Sequence, residues 1–173
     1  MIPYSTLKSQ WPKTITCYAI PRQIVHRTQT YLKKLGKQKL EGIAYWTGKF
    51  SDSKAIIMNV IFPDEYRGSP KKSWRYSHVD LNTALRVGKT LHERKEFLLV
   101  QLHTHPFEAF HSWLDDNYPI SHRVGFISIV IPYFARLSLD DLSTWKVYEY
   151  KGTGRWRELS QDNIKWRFLL IEE

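Results

Sequence analysis

The sequence predicts an α/β chain, with short strands of one sheet set among helices that cover it. Two observations carry that reading. Three β-type apolar runs, 40–48 (LEGIAYWTG), 55–62 (AIIMNVIF) and 125–132 (GFISIVIP), are rich in branched and aromatic residues. Among them stand two segments whose apolar residues recur at helical spacing, one after Pro21 and one after Asp80. At 173 residues the chain is long enough to bury a core without disulfides, so one domain spanning 1–173 is expected.

Taken in order, residues 14–19 alternate weakly between Pro12 and Pro21 and predict a short strand. From Pro21, Ile24, Val25, Thr28, Tyr31, Leu32 and Leu35 trace one helix face, with proline at its start and Gly36 just past its end. The run 40–48 opens beside a carboxylate, Glu41, and closes on Gly48. A polar turn at 49–54 leads into 55–62, nearly all apolar, which suits a strand covered on both faces and paired with the previous one as a hairpin. Residues 63–76 are loop-like, with Gly68, Pro70 and basic residues around Trp74 and Tyr76. Residues 77–80 (SHVD) have the form of a helix N-terminus, and Leu81, Ala84, Leu85, Gly88 and Leu91 keep helical spacing up to Lys95. Beyond 125–132, residues 145–150 and 155–159 form a hairpin about Gly152 and Gly154. The sheet is expected to be mostly complete there, with 163–171 a short helix or strand.

A net charge of +9, from 26 basic and 17 acidic side chains, admits either nucleic acid or an acidic protein as partner. The basic residues are spread, however. Their densest group is Lys33, Lys34, Lys37 and Lys39, followed by Lys71, Lys72 and Arg75, and neither has the form of an RNA module or an arginine arm. A solvated basic face is expected, and no nucleic-acid partner. No apolar run is long enough for a signal sequence or a spanning helix, so no membrane partner is expected either. The single Cys17, expected in the core, fits a reducing compartment and a cytoplasmic protein.

The chemistry gathers in residues 99–116, LVQLHTHPFEAFHSWLDD. Two histidines separated by one residue at a strand's end, His103 and His105, project to the same side, so one cation can meet both. Pro106 cannot donate to a central ladder, which stops the strand and turns the chain away, leaving a rim for water and substrate. Asp115 then supplies an oxygen ligand and leaves a fourth tetrahedral position open, as catalytic zinc sites require. Glu41 alone would be a solvated strand end. Beside a metal site it becomes the carboxylate that takes a proton from water and passes it to a leaving amine.

A Glu opening an apolar strand, a later H-x-H-P at a strand end and a following S-x-x-D together resemble the JAB/JAMM metalloprotease family, also called MPN domains. Each piece is weak alone; their order and strand contexts are independent requirements met together. The resemblance runs from about residue 14 to 159. It implies a cytidine-deaminase-like mixed sheet flanked by helices, with zinc held by His103, His105 and Asp115 and water activated by Glu41. It also implies that Ser112 stabilises the oxyanion of the tetrahedral intermediate, a role typically worth about 3 kcal/mol in the barrier. The substrate class implied is a peptide or isopeptide bond after the C-terminal tail of a ubiquitin-like protein; the aromatic-basic loop 63–76 is expected near the mouth of the site, with Trp74 and Tyr76 as substrate contacts. The bulky strands look more like prokaryotic members encoded beside ubiquitin-like conjugation or antiphage-signalling enzymes, which makes cognate activating and conjugating enzymes the expected partners.

One departure stands out. The family commonly places seven residues between the second His and the Ser, whereas Pro106 to His111 gives six. A shifted register brings Asp116 to the metal in place of Asp115, and His111 is also within reach; motif spacing favours Asp115, and an exposed or capping role for His111. Two other readings are a scaffold of the same fold that has lost its metal, and a DNA-repair-associated branch that shares HxHP and SxxD.

Overall fold

The computed structural model of the chain describes residues 7–8, 10–66, 79–117 and 120–172. Its strands are β1 (Leu7–Lys8), β2 (Cys17–Pro21), β3 (Ile43–Ser51), β4 (Lys54–Ile61), β5 (Phe97–Thr104), β6 (Ile127–Ile131), β7 (Lys146–Gly152), β8 (Arg155–Glu158) and β9 (Phe168–Ile171). Its helices are α1 (Arg22–Lys37), α2 (Leu81–Arg94), α3 (Trp113–Asn117) and α4 (Gln161–Arg167). All nine strands join one sheet in the order β8-β7-β6-β5-β3-β4-β2-β9, with β1 paired antiparallel to β3. The pairs β5–β6, β2–β4 and β2–β9 are parallel and the rest antiparallel, so the sheet is mixed, as predicted.

α1 covers the sheet with the stripe its sequence predicts, whereas α2 packs through Thr83 and Val87 and leaves Leu81 and Leu85, on the expected stripe, 74% and 63% exposed. On α1, Ile24, Val25, Thr28 and Leu32 are buried, and the Trp46 indole of β3 donates to the Thr28 hydroxyl at 2.8 Å. They join a core that includes Tyr18, Trp46, Phe50, Leu102, Trp145 and Phe168. On the opposite face a smaller cluster of Ile43, Tyr45, Ile61 and Val87 lies under α2. That helix starts at Asp80, whose carboxylate accepts from the Thr83 N–H at 3.0 Å. Among the described residues no helix is long and apolar enough to cross a membrane.

Several boundaries differ from expectation, each for a packing reason. Gly36 does not end α1 but lies buried in its last turn, where a Cβ would stand 2.4 Å from the Phe134 Cβ. The first strand shifts to Cys17–Pro21, because the register of β2 is set by two parallel neighbours, β4 and β9. The sheet is not finished before the tail: the tail provides both α4 and β9, the strand that closes the β2 edge. Cys17 is half-buried rather than in the core.

Candidate metal centre

β5 runs between β3 and β6 and carries the two histidines at its end. Ile43 pairs with His103, the Thr104 N–H donates to the Gly42 carbonyl at 3.1 Å, and the Gly42 N–H donates to the Thr104 hydroxyl at 2.9 Å. Glu41 therefore enters β3 at this same end, and strand alternation carried back from Ile43 sets it on the face of His103. It is half-buried.

Beyond Thr104 the chain leaves the ladder, yet its backbone remains tied. The His105 N–H donates to the Ile131 carbonyl and the His105 carbonyl accepts from the Phe134 N–H, both at 2.9 Å. The Tyr133 N–H reaches the Phe107 carbonyl at 3.0 Å. The Tyr133 and Phe134 donors belong to a turn of three consecutive residues, Tyr133, Phe134 and Ala135, with φ of 53°, 53° and 57°. Left-handed backbone at a residue with a side chain costs about 1–2 kcal/mol. The strained turn after β6 is thus what seats the second histidine.

The residues S-x-x-D fold into a reciprocal cap on α3. The Ser112 N–H and hydroxyl both donate to Asp115 Oδ2, at 2.8 and 2.6 Å, while the Asp115 N–H points to the Ser112 oxygen at 3.4 Å. This leaves Asp115 Oδ1 turned toward the histidines, 3.4 Å from His103 Nε2. Ligand atoms of His103, His105 and Asp115 all lie within 4.8 Å of one another. Asp116 faces elsewhere: its Oδ1 is 2.8 Å from His111 Nδ1, outside the cluster. Glu41 is not in the cluster either. Trp74 and Tyr76 lie outside the described residues.

The electrostatics suit a cation. His103 is 1% exposed, and neither of its ring nitrogens has a hydrogen-bond partner. Leaving such a group unsatisfied costs about 1–3 kcal/mol, and a metal bond removes that cost. Burial, then the proximity of His103, holds His105 down to about 4, so at neutral pH its ring is the uncharged form that ligates. Burial by itself raises the Asp115 pKa, but the adjacent His103 ring and the hydrogen bonds from Ser112 outweigh it and keep the carboxyl ionised well below the usual carboxylate range. A tetrahedral ion with bonds of about 2.0–2.1 Å sets its ligand atoms about 3.4 Å apart. The His103–Asp115 separation of 3.4 Å matches and the three ligand atoms lie within 4.8 Å of one another, so two nitrogens and one oxygen form a donor set that could hold a divalent ion.

His111 was expected to be exposed or a cap. Its side chain is instead 4% exposed, with Nε2 2.9 Å from the Ser128 hydroxyl and the ring stacked on Tyr148 at 4.0 Å. Asp116 can only accept, so Nδ1 carries the hydrogen and Nε2 accepts from Ser128. Burial pushes the His111 pKa below its ordinary value, which agrees with a neutral ring. Sequence reasoning missed Ser128 and Tyr148; a lone hydroxyl inside the GFISIVIP run was the one available signal.

The chain matches no protein-family model. It is 31% identical over 141 residues, 82% of this chain and 86% of the relative, to "Probable metalloprotease y4jG" of Sinorhizobium fredii. Among solved structures it is similar to protein DSY2949 from Desulfitobacterium hafniense, with a TM-score of 0.61, 14% identity, and 90% and 94% of the two chains covered. A JAB1/MPN domain protein from Archaeoglobus fulgidus matches at a TM-score of 0.47 and 15% identity, covering 89% of this chain and 99% of that one. With a metalloprotease relative at that identity and coverage, and with two histidines and an aspartate converging where β5 ends, the chain belongs to the JAB/MPN metalloprotease family.

Proposed function

We propose that the protein is a zinc-dependent isopeptidase or peptidase that cuts after the C-terminal tail of a ubiquitin-like protein, either releasing the modifier from its targets or trimming its precursor. The observation that carries the reading is the cluster of His103, His105 and Asp115, in which the buried His103 ring has no hydrogen-bond partner and faces the Asp115 carboxylate at 3.4 Å. The full ligand set argues against a scaffold that has lost its metal. The metalloprotease name borne by the relative from Sinorhizobium fredii supports the peptidase chemistry. The setting proposed is a bacterial ubiquitin-like conjugation or antiphage system, with the modifier and its activating and conjugating enzymes as partners.

In this reading His103, His105 and Asp115 hold the ion, whose contribution is Lewis-acid polarisation of the scissile carbonyl and acidification of water. Glu41, outside the three-ligand group, is the carboxylate that takes a proton from water and returns it to the leaving amine. Ser112 has two tasks. Its hydroxyl orients Asp115 at 2.6 Å, and in the reaction its single hydrogen swings away from Asp115 to donate to the developing oxyanion. Phe107, Phe110 and Trp113 are exposed on the loop around the site and offer an apolar rim to a substrate tail. Trp74 and Tyr76 are further contacts for that tail.

The test is cleavage of a panel of ubiquitin-like proteins carrying a fluorogenic amide at the C-terminus, by zinc-loaded protein. Cleavage of at least one, abolished by chelation and by Glu41→Gln, is expected. Cleavage of a generic peptide with none of the modifiers cut would remove the ubiquitin-like substrate from the proposal.

A further inference from the structure

We infer that His111 is a positioning residue whose ring, pinned between Asp116 and Ser128, fixes the turn that brings Asp115 to the two histidines. The inference rests on the metal-site reading above and assigns a role to residues outside the ligand set.

The turn needs such an anchor. α3 is only five residues long, too short to hold its own shape. The loop leading into it sends its large apolar side chains outward: Phe107, Phe110 and Trp113 are 75%, 56% and 67% exposed. The inward anchor is polar instead. His111 Nδ1–H donates to Asp116 Oδ1 at 2.8 Å, and the Ser128 hydroxyl of β6 donates to Nε2 at 2.9 Å. The ring lies flat on Tyr148 of β7, and the His111 backbone N–H donates to the Tyr148 hydroxyl at 3.2 Å. Farther along, the Trp156 indole of β8 donates to the Asp116 carbonyl at 3.3 Å.

The consequence for the metal is geometric. His111 precedes Ser112 and Asp116 follows Asp115, so the ring ties together the two residues that bracket the S-x-x-D cap. It fastens both to the sheet that carries His103. The Ser112–Asp115 bonds fix the carboxylate within the turn. The Asp116–His111–Ser128 chain fixes the turn against β6. Without the ring the cap survives, but the separation between Asp115 Oδ1 and His103 Nε2 is no longer held. Outer partners of this kind typically govern about 10–100-fold in metal affinity.

The experiment measures zinc affinity by competition with a chromophoric chelator, together with the visible spectrum of the cobalt-substituted protein. His111→Ala is expected to bind zinc about 10–100-fold more weakly, with changed cobalt absorption. His111→Asn, whose amide nitrogen takes the place of Nδ1 and keeps the bond to Asp116, is expected to recover most of the affinity. His111→Gln, which reaches toward Ser128 but not Asp116, is expected to recover less. Should His111→Ala fail to fold, Ser128→Ala removes one end of the chain and is expected to weaken zinc severalfold. Folded variants with a lowered Tm but wild-type zinc affinity and cobalt spectrum would show a purely structural histidine and overturn the inference. A wild type that binds neither ion removes the metal site itself, so the two failures are told apart.

Discussion

At the scale of single residues, the metal centre depends on which atoms are left without a partner. His103 is buried with neither ring nitrogen hydrogen-bonded, and Asp115 turns one oxygen toward it while Ser112 occupies the other. Period-two alternation made the histidine pair legible, because it needs nothing but neighbours along one strand. Asp115 was separable from Asp116 only by motif spacing. His111 was not legible at all, since its partners Asp116 and Ser128 come from different elements. Two predictions belong here. Glu41→Gln is expected to bind zinc as wild type does while losing about 10²–10⁴-fold in cleavage rate; undiminished cleavage would take Glu41 out of the mechanism. The second concerns pH. Burial and the nearby His103 hold His105 at about 4 against an ordinary 6.5, so between those values the unfolded chain takes up a proton that the folded chain refuses. Stability of the metal-free protein is therefore complete above the ordinary value, falls as pH drops through this window, and loses no more from this group below about 4. Thermal melts of metal-free protein across the window are expected to show that fall, flattened in His105→Gln; an equally steep fall in both would assign it to other groups.

At the scale of elements, strands were easier to find than their ends. The runs 40–48, 55–62 and 125–132 all became strands, but β3 begins at Ile43 and extends to Ser51, because it has to match β4 and β5 on its two sides. Gly48 shows what a run of letters hides. It sits where the β3–β4 register shifts, and a Cβ there would stand 1.9 Å from the Ile56 carbonyl oxygen. The sequence marks it as a strand end, whereas the structure uses it for a close approach of two backbones. Gly48→Ala is expected to cost about 1–3 kcal/mol or more in urea melts, as overpacking does; unchanged stability would mean that the strands do not meet as described. The left-handed turn at Tyr133–Ala135 had no local signal, because glycine is the residue that normally announces it.

At the scale of the whole molecule, the tail was the least legible part. Residues 163–171 show no single periodicity because two elements share them, α4 and then β9. What binds that tail to the sheet is a buried charge cluster: Glu149 of β7 meets Arg167 of α4 at 3.2 Å and Arg157 of β8 at 2.6 Å. Arg167 is 12% exposed and Arg157 55%. Glu149→Ala leaves Arg167 buried without its carboxylate and is expected to cost about 3–5 kcal/mol. Arg157→Ala, near the surface, is expected to cost about 1 kcal/mol or less; equal losses in urea melts would contradict this division. The sheet as a whole brings β3, β5 and the turn after β5 to one end, and the centre exists only because those three meet. Zinc per chain in purified wild type, Asp115→Ala and Asp116→Ala tests that most directly. About one zinc is expected in wild type and in Asp116→Ala at saturating zinc, and none in Asp115→Ala. A wild type without zinc, or an Asp115→Ala that still holds one, would contradict the account.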